Sequence, residues 1–303
     1  PVENKGVHRS AMGFSDDIII VGTVMRNQKR KLYPDLIKSF DDFCNKYPDI
    51  SKNTYLYLHT SYPDIGWDIP RLLRESKISH KVLMTSACAS PECSHVFPSF
   101  FQESRRGCTK CGGTAIIPNA SLGVSERSLG EIMNCFDLYV QYSICEGFGM
   151  PQVEAASCGI PVAATNYSAM EDVINHTKGF PIPVEKFFRE LETNAERAYP
   201  DNEAMADIIL EFSEASEKYR LTKSMEARSG AVSRYDWDDT AKQWENYIDG
   251  YIPADKQGKW DAPPSFPSIP ENKPDNFPSN NKFVEWIFAE VIKEPDRFHK
   301  EEG

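Results

Sequence analysis

The chain lacks a run of 18 apolar residues, so no segment reads as a membrane-spanning helix. It lacks a secretory leader with a charged start and an apolar stretch. It lacks an excess of basic charge: 34 Lys and Arg stand against 45 Asp and Glu, a net charge of −11. That balance argues against a nucleic-acid binder, which normally shows a basic face, although a few local cations would still serve an anionic ligand. Internal repeats are missing as well. The chain opens Pro-Val-Glu-Asn rather than with methionine, so we expect a processed chain or a piece of a longer one.

What is present is a steady alternation. "DDIIIVGTV" (16–24), "TYLYLHT" (54–60) and "KVLMTS" (81–86) read as strands. Between them, "YPDLIKSFDDFCNKY" (33–47) sets Leu36, Phe40, Phe43 and Tyr47 on one helical face, and "IPRLLRES" (69–76) reads as a short helix. After an interruption come "TAIIP", the helix "SERSLGEIMNCF" (125–136), the strand "DLYVQYS", a helix from Pro151 and the strand "PVAAT". Helices over 201–219 and 236–251 close the unit. Strand and helix in alternation predict an α/β, Rossmann-like parallel sheet with helices on both faces. Ligands of such sheets bind at the carboxyl ends of strands. We therefore expect one domain over 1–251. Residues 252–281 are rich in proline and read as a linker, followed by a C-terminal helix carrying Phe283, Trp286, Ile287 and Val291.

The interruption, about 86–114, holds Cys88, Cys93, Cys108 and Cys111 as C-x4-C and C-x2-C. This spacing predicts a small zinc-ribbon-like insert with a structural Zn2+ on four thiolates. The segment has no core of its own, so the metal would supply folding energy. Two disulfides, or His95 in place of one cysteine, are the alternatives. Cys44, Cys135, Cys145 and Cys158 sit in apolar contexts and read as core residues. The pattern suits a reducing compartment, and we expect a cytoplasmic protein.

The stretch "SICEGFGMPQVEAASCGIPVAAT" (143–165) carries the chemistry. Pro151 suits a first helical turn, Gly159 a left-handed helix end, and Pro161 a stop. Gly147, Phe148, Gly149 and Met150 then form a tight loop feeding a helix N-terminus, where free N–H groups and the helix dipole favour an anion. Glu146 precedes the loop and Glu154 lies about one turn inside the helix. Two carboxylates for hydroxyls around an anion site fit ribose, diphosphate and hexose. The basic run "RNQKRK" (26–31), directly after a buried strand, reads as a phosphate site. His59, ending a strand at the ligand-facing edge, reads first as a structural histidine, with contact to the donor as the alternative.

"EGFGMPQVEAASCGIPVAAT" resembles the glutamate-x7-glutamate motif of the retaining family 4 glycosyltransferases, which have the GT-B fold. "VSERSLGEIMNCFDLYVQYS", "IIIVGTVMRNQKRKLYPDLIKSF" and "YDWDDTAKQWENY" are similar to its flanking elements in the same order, so the resemblance covers roughly 15–250. It implies that Glu154 holds the donor ribose and that Glu146 contacts the transferred sugar. The amides of Gly147 to Met150 would face sugar and diphosphate. Gly22 would lie at the donor, and Ile117 to Asn119, Pro118 among them, near the base. Arg26 and Lys31 would neutralise the departing diphosphate, with Lys29 or Arg30 able to replace Lys31. The donor would be a UDP- or GDP-sugar, the acceptor unknown, and the transfer that of a retaining hexosyltransferase needing no catalytic metal. The acceptor domain of that fold would have to come from a missing N-terminal half or a partner chain. A non-catalytic nucleotide-sugar-binding or scaffold module and a sugar-nucleotide epimerase are the alternatives.

Overall fold

β1 (Ile19–Val24) is the central strand of the chain's main sheet, flanked in parallel by β2 (Thr54–His59). The computed structural model describes residues 4–101, 106–119, 121–251 and 276–291. Before β1 lies the short helix α1 (Lys5–Ala11), and after it α2 (Tyr33–Lys46) and α3 (Pro48–Ser51). α4 (Ile69–Glu75) and a 3-10 turn lead to β3 (Val82–Cys88). β4 (Val96–Phe100), β5 (Arg106–Gly107) and β6 (Thr114–Ile116) follow. α5 (Glu126–Met133), β7 (Leu138–Gln141), α6 (Met150–Ser157), β8 (Val162–Thr165), α7 (Ala169–Thr177) and β9 (Phe180–Ile182) continue the alternation. A hairpin of β10 (Val184–Arg189) and β11 (Glu196–Pro200) precedes α8 (Asn202–Glu214), α9 (Glu217–Arg234) and α10 (Trp237–Gly250).

The sheet runs β5-β6-β3-β2-β1-β7-β8-β9, with β4 also on β3. The strands from β3 to β9 are parallel; β4, β5 and β6 pair antiparallel. Neighbouring strand residues point to opposite faces. Val21 accordingly joins the core beneath α2, α4 and α8, and Ile20 joins the core beneath α5, α6, α7 and α9. In α2, Leu36, Phe40 and Phe43 are fully buried, as their spacing predicts, each contributing roughly 1.5–3 kcal/mol. The Rossmann-like α/β expectation holds.

Three details differ from the sequence reading. The helix expected over 201–219 is two helices, because the Oγ of Ser216 accepts from the N–H of Tyr219 and starts α9 anew. The elements α7, β9 and the β10–β11 hairpin had no reading. The segment 86–114 is joined to the main sheet, since β4 and β6 pair along β3.

The chain divides into two compact units, Pro1–Gln243 and Trp244–Gly303, with the boundary inside α10. In the second, α11 (Asn280–Trp286) continues as a π-helical turn over Ile287–Val291, and Phe283 stacks on Trp286. The proline-rich stretch through 275, and the helix expected beyond 291, lie outside the described residues.

Candidate functional site at the carboxyl ends of β1 and β7

Connections run from β1 toward β2 on one side and from β7 toward β8 on the other. The carboxyl ends of β1 and β7 thus flank the sheet's switch point, where a crevice opens. The two loops there are tied together. Lys31 bridges Ser143, the N–H of Ile144 donates to the Arg30 carbonyl at 3.0 Å, and the N–H of Leu32 donates to the Tyr142 carbonyl at 3.2 Å.

This tie sets two cations on one carboxylate. Lys31 Nζ donates to Glu146 Oε1, and Arg30 Nη1 donates to Oε2 at 2.7 Å. Gln141 Nε2 adds a donor to Oε1 at 2.8 Å, and the Tyr139 hydroxyl orients that amide through its Oε1 at 2.6 Å. The Lys31 and Glu146 side chains are 7% and 5% exposed, that of Arg30 42%. Burial pulls Lys31 below its ordinary value, with Glu146 acting against it. Burial alone would raise Glu146, but Lys31 and Arg30 outweigh it and hold the carboxyl below its ordinary value. The N–H of Glu146 donates to Ser168 Oγ at 3.0 Å. Ser168 has φ 53° and ψ −147°, close to a region used by glycine alone, which marks stored strain.

Arg26 stands apart from that cluster. Its Nε and Nη2 donate to Asp64 Oδ2 and Oδ1 at 2.9 and 3.1 Å. With Pro118 and Asn119 it lines a cleft of about 320 Å³ between the ends of β1 and β2. Ile117, expected beside them, packs against the main core instead. His59 meets Thr85 Oγ1 at 2.8 Å through Nδ1, and burial lowers it to about 4.

At α6 the N-cap is Gly149 at φ 81°, where a Cβ would meet Gln152 Nε2 at 2.5 Å. The positive φ favours glycine there, and any side chain would also have to push the Gln152 amide aside. Pro151 lies in the first turn, and Gly159 takes φ 76° just beyond the helix end, as expected. Gly147 leads into the turn, and Met150 opens the helix with its side chain 56% exposed. Phe148 packs edge-on against Tyr235, their ring centroids 5.5 Å apart. Glu154 lies beside an apolar cleft of about 310 Å³ with Phe148, Met150 and Trp237. Partial burial, then the charge of Glu126, raises its carboxyl above the ordinary value. Among the described residues Glu154 makes no hydrogen bond to the Glu146 cluster. Gly22, expected at the donor, is enclosed within β1, where a Cβ would meet the Phe136 ring at 2.3 Å. Its visible task is to make room for that ring.

The four cysteines of the 86–114 segment converge, their Sγ atoms all within 4.8 Å of one another. Cys88 and Cys111 are 3.5 Å apart, Cys93 and Cys108 3.8 Å. These separations exceed a disulfide bond and suit thiolates around a tetrahedral ion at about 2.3 Å. N–H groups of Ser90, Lys110 and Gly113 point at three of the sulfurs at 3.4 Å. His95 turns to Thr109 Oγ1 instead.

The sequence reading missed Asp64, Gln141 and Ser168. Asp64 sits in a Pro-Asp-Ile-Gly turn and reads there as a turn residue. Gln141 is hidden in an apolar strand. Ser168 carries no local signal.

Residues 120–218 match the model of the family glycosyl transferases group 1. That segment is about a third of the chain and includes both Glu146 and Glu154. The fold is similar to sucrose-phosphate synthase from Thermosynechococcus elongatus, at 17% identity and a TM-score of 0.54, over 80% of this chain and 47% of that one. It is also similar to Anabaena HepE in complex with UDP and glucose, at 16% and 0.55, over 82% and 52%. A third is WaaG, a glycosyltransferase involved in lipopolysaccharide biosynthesis, at 13% and 0.54, over 83% and 52%. At these identities the likeness shows the fold, and the chain spans about half the length of these structures. Among curated proteins none matches the chain. The group 1 match is confined to residues 120–218, and the structural likeness shows a shared α/β fold. No helix among the described residues is long and apolar enough to cross a membrane.

Proposed function

We propose that the chain is the donor-binding half of a retaining glycosyltransferase that takes a hexose from a nucleoside diphosphate sugar. The observation that carries this reading is the buried Lys31–Glu146 pair, with Arg30, at the switch point of a parallel sheet. A carboxylate for sugar hydroxyls and cations for phosphate oxygens meet there. In the donor complex Glu154 holds the ribose, the amides of Gly147 to Met150 face the diphosphate, and Glu146 takes the sugar hydroxyls. Lys31 and Arg26 then stabilise charge as it develops on the leaving diphosphate, the interaction that lowers the barrier. Arg30, half exposed, adds a third cation. The Anabaena neighbour in complex with UDP and glucose favours a UDP-sugar over a GDP-sugar.

The acceptor and its domain come from a preceding segment or a partner chain, in keeping with the half-length coverage of the neighbours. That same coverage favours, as second reading, a module that binds nucleotide sugar without transferring it. Cys88, Cys93, Cys108 and Cys111 hold a structural Zn2+, four thiolates leaving no position for substrate. A reducing, cytoplasmic setting would keep those thiolates available.

Calorimetric titration of the chain with UDP, GDP and ADP tests the donor site. One nucleotide should bind, and Glu154→Ala should abolish that binding. Binding of none of the three would overturn the donor reading.

A further inference from the structure

The loop between β2 and α4, "SYPDIGWD" (61–68), has no role in the donor reading, yet it supports both expected phosphate cations. Asp64 grips Arg26 in a two-pronged pair. Its side chain is 2% exposed, while that of Arg26 is 54% exposed. Ser61 Oγ donates to Asp64 Oδ2 at 2.5 Å, and the same Oγ accepts from the N–H of Asn27 at 3.2 Å. The Arg26 pair, then Ser61, hold the Asp64 carboxyl well below the usual carboxylate range. Asn27 closes the frame, donating from Nδ2 to the Trp67 carbonyl and accepting from the Trp67 N–H, each at 2.8 Å. Gly66 lies so close that a Cβ would meet Asn27 Oδ1 at 2.3 Å. Trp67 Nε1 then donates to the Lys31 carbonyl at 2.7 Å.

A carboxylate on a cation expected to bind diphosphate has two physical meanings. It is either a stand-in anion that the ligand displaces or a support that aims the cation. Displacement would cost the carboxylate its two-pronged partner while its other donors, Ser61 Oγ and the Ile65 N–H, stay fixed in the loop. The two-pronged pair engages only the Nε–Nη2 edge of the guanidinium, which leaves Nη1 without a partner among the described residues. The support reading fits both facts.

We propose that Asp64 is a positioning residue of the donor site: it fixes the guanidinium of Arg26 so that its free edge meets the diphosphate. This role rests on the donor reading above. A cation aimed in advance loses less freedom when the ligand arrives and binds it more tightly.

The test is titration of the full chain with UDP and GDP, and by competition with uridine and guanosine. Asp64→Asn should weaken the bound diphosphate by about tenfold or more, the scale of one charged hydrogen bond. Nucleoside affinity should stay at the wild-type value, the melting temperature should fall because the ion pair is lost, and Asp64→Glu should restore part of the diphosphate loss. Asp64→Asn combined with Arg26→Ala should bind no worse than Arg26→Ala alone, because Asp64 acts through Arg26. Unchanged diphosphate affinity in Asp64→Asn overturns the proposal. So does an equal weakening of diphosphate and nucleoside, which marks a merely structural role. If Asp64→Asn does not fold, Ser61→Ala takes its place; it should give a smaller loss confined to the diphosphate, and no such loss overturns the proposal. A wild-type chain that binds no nucleotide overturns this proposal and the donor reading together, whereas one that binds with Asp64 irrelevant overturns this proposal alone.

Discussion

Lys31 and Glu146, 115 residues apart in sequence, form an ion pair in which each side chain is less than a tenth exposed. A buried pair of this kind is weak evidence for stability, but its disruption is expensive because one charge stays behind. In this site the surplus partners, Arg30 and Gln141, lie on the carboxylate side.

Glu146→Gln should therefore destabilise the fold by about 3–5 kcal/mol in urea denaturation at neutral pH. The pH dependence has a definite sign. The folded carboxyl titrates below its ordinary value, so its contribution is complete above about pH 4.3 and is lost as pH falls through the folded value. The wild-type stability curve should drop in that acidic window and the Gln variant should be flatter there. Parallel curves would contradict the assignment.

Purified chain should carry about one zinc per molecule by plasma emission, and Cys108→Ser should carry none. Chelation should lower the melting temperature, because β4 and β6 tie the cysteine turns to the main sheet. Full stability after complete metal removal would rule out the structural role.

Ser168 separates backbone strain from a side-chain hydrogen bond. Ser168→Gly relieves a conformation that costs about 1–3 kcal/mol and loses one hydrogen bond of roughly 1 kcal/mol. Ser168→Ala keeps the strain and loses the bond. The glycine variant should be the more stable of the two, with both binding the nucleotide diphosphate less tightly than wild type because the Glu146 N–H is released. The reverse order of stability would remove the strain argument.

Gly22→Ala asks whether that glycine serves packing or ligand. A Cβ at 2.3 Å from the Phe136 ring should cost about 1–3 kcal/mol of overpacking and leave nucleotide affinity unchanged. Weaker nucleotide binding at full stability would return Gly22 to the donor site.

Much of the fold was readable because its signals are local. The apolar runs of β1, β2 and β3 and the one-sided face of α2 follow from residues a few positions apart. The turn at Gly149 and the helix end at Gly159 follow from backbone angles that glycine alone takes without strain. Where a signal was weak, the reading failed. β10 is mostly exposed, so no apolar period announces it, whereas α7 carries a helical stripe of Met170, Val173, Ile174 and Thr177 that the reading passed over. The break before α9 depends on one serine oxygen in an otherwise helical stretch.

The two short cysteine pairs and the turn from Glu146 into α6 were legible in the chain, although Cys88 and Cys93 meet Cys111 and Cys108 only where β6 lies on β3. Which cation meets which carboxylate was not legible. Lys31 reaches Glu146 only because β7 lies beside β1, and Arg26 reaches Asp64, 38 residues on, only because β2 lies on the other side. Strand order is a property of the packed sheet, set by how its two faces bury their helices, and no local pattern encodes it. The same packing enclosed Gly22 under Phe136 and divided two expected phosphate cations between two different carboxylates.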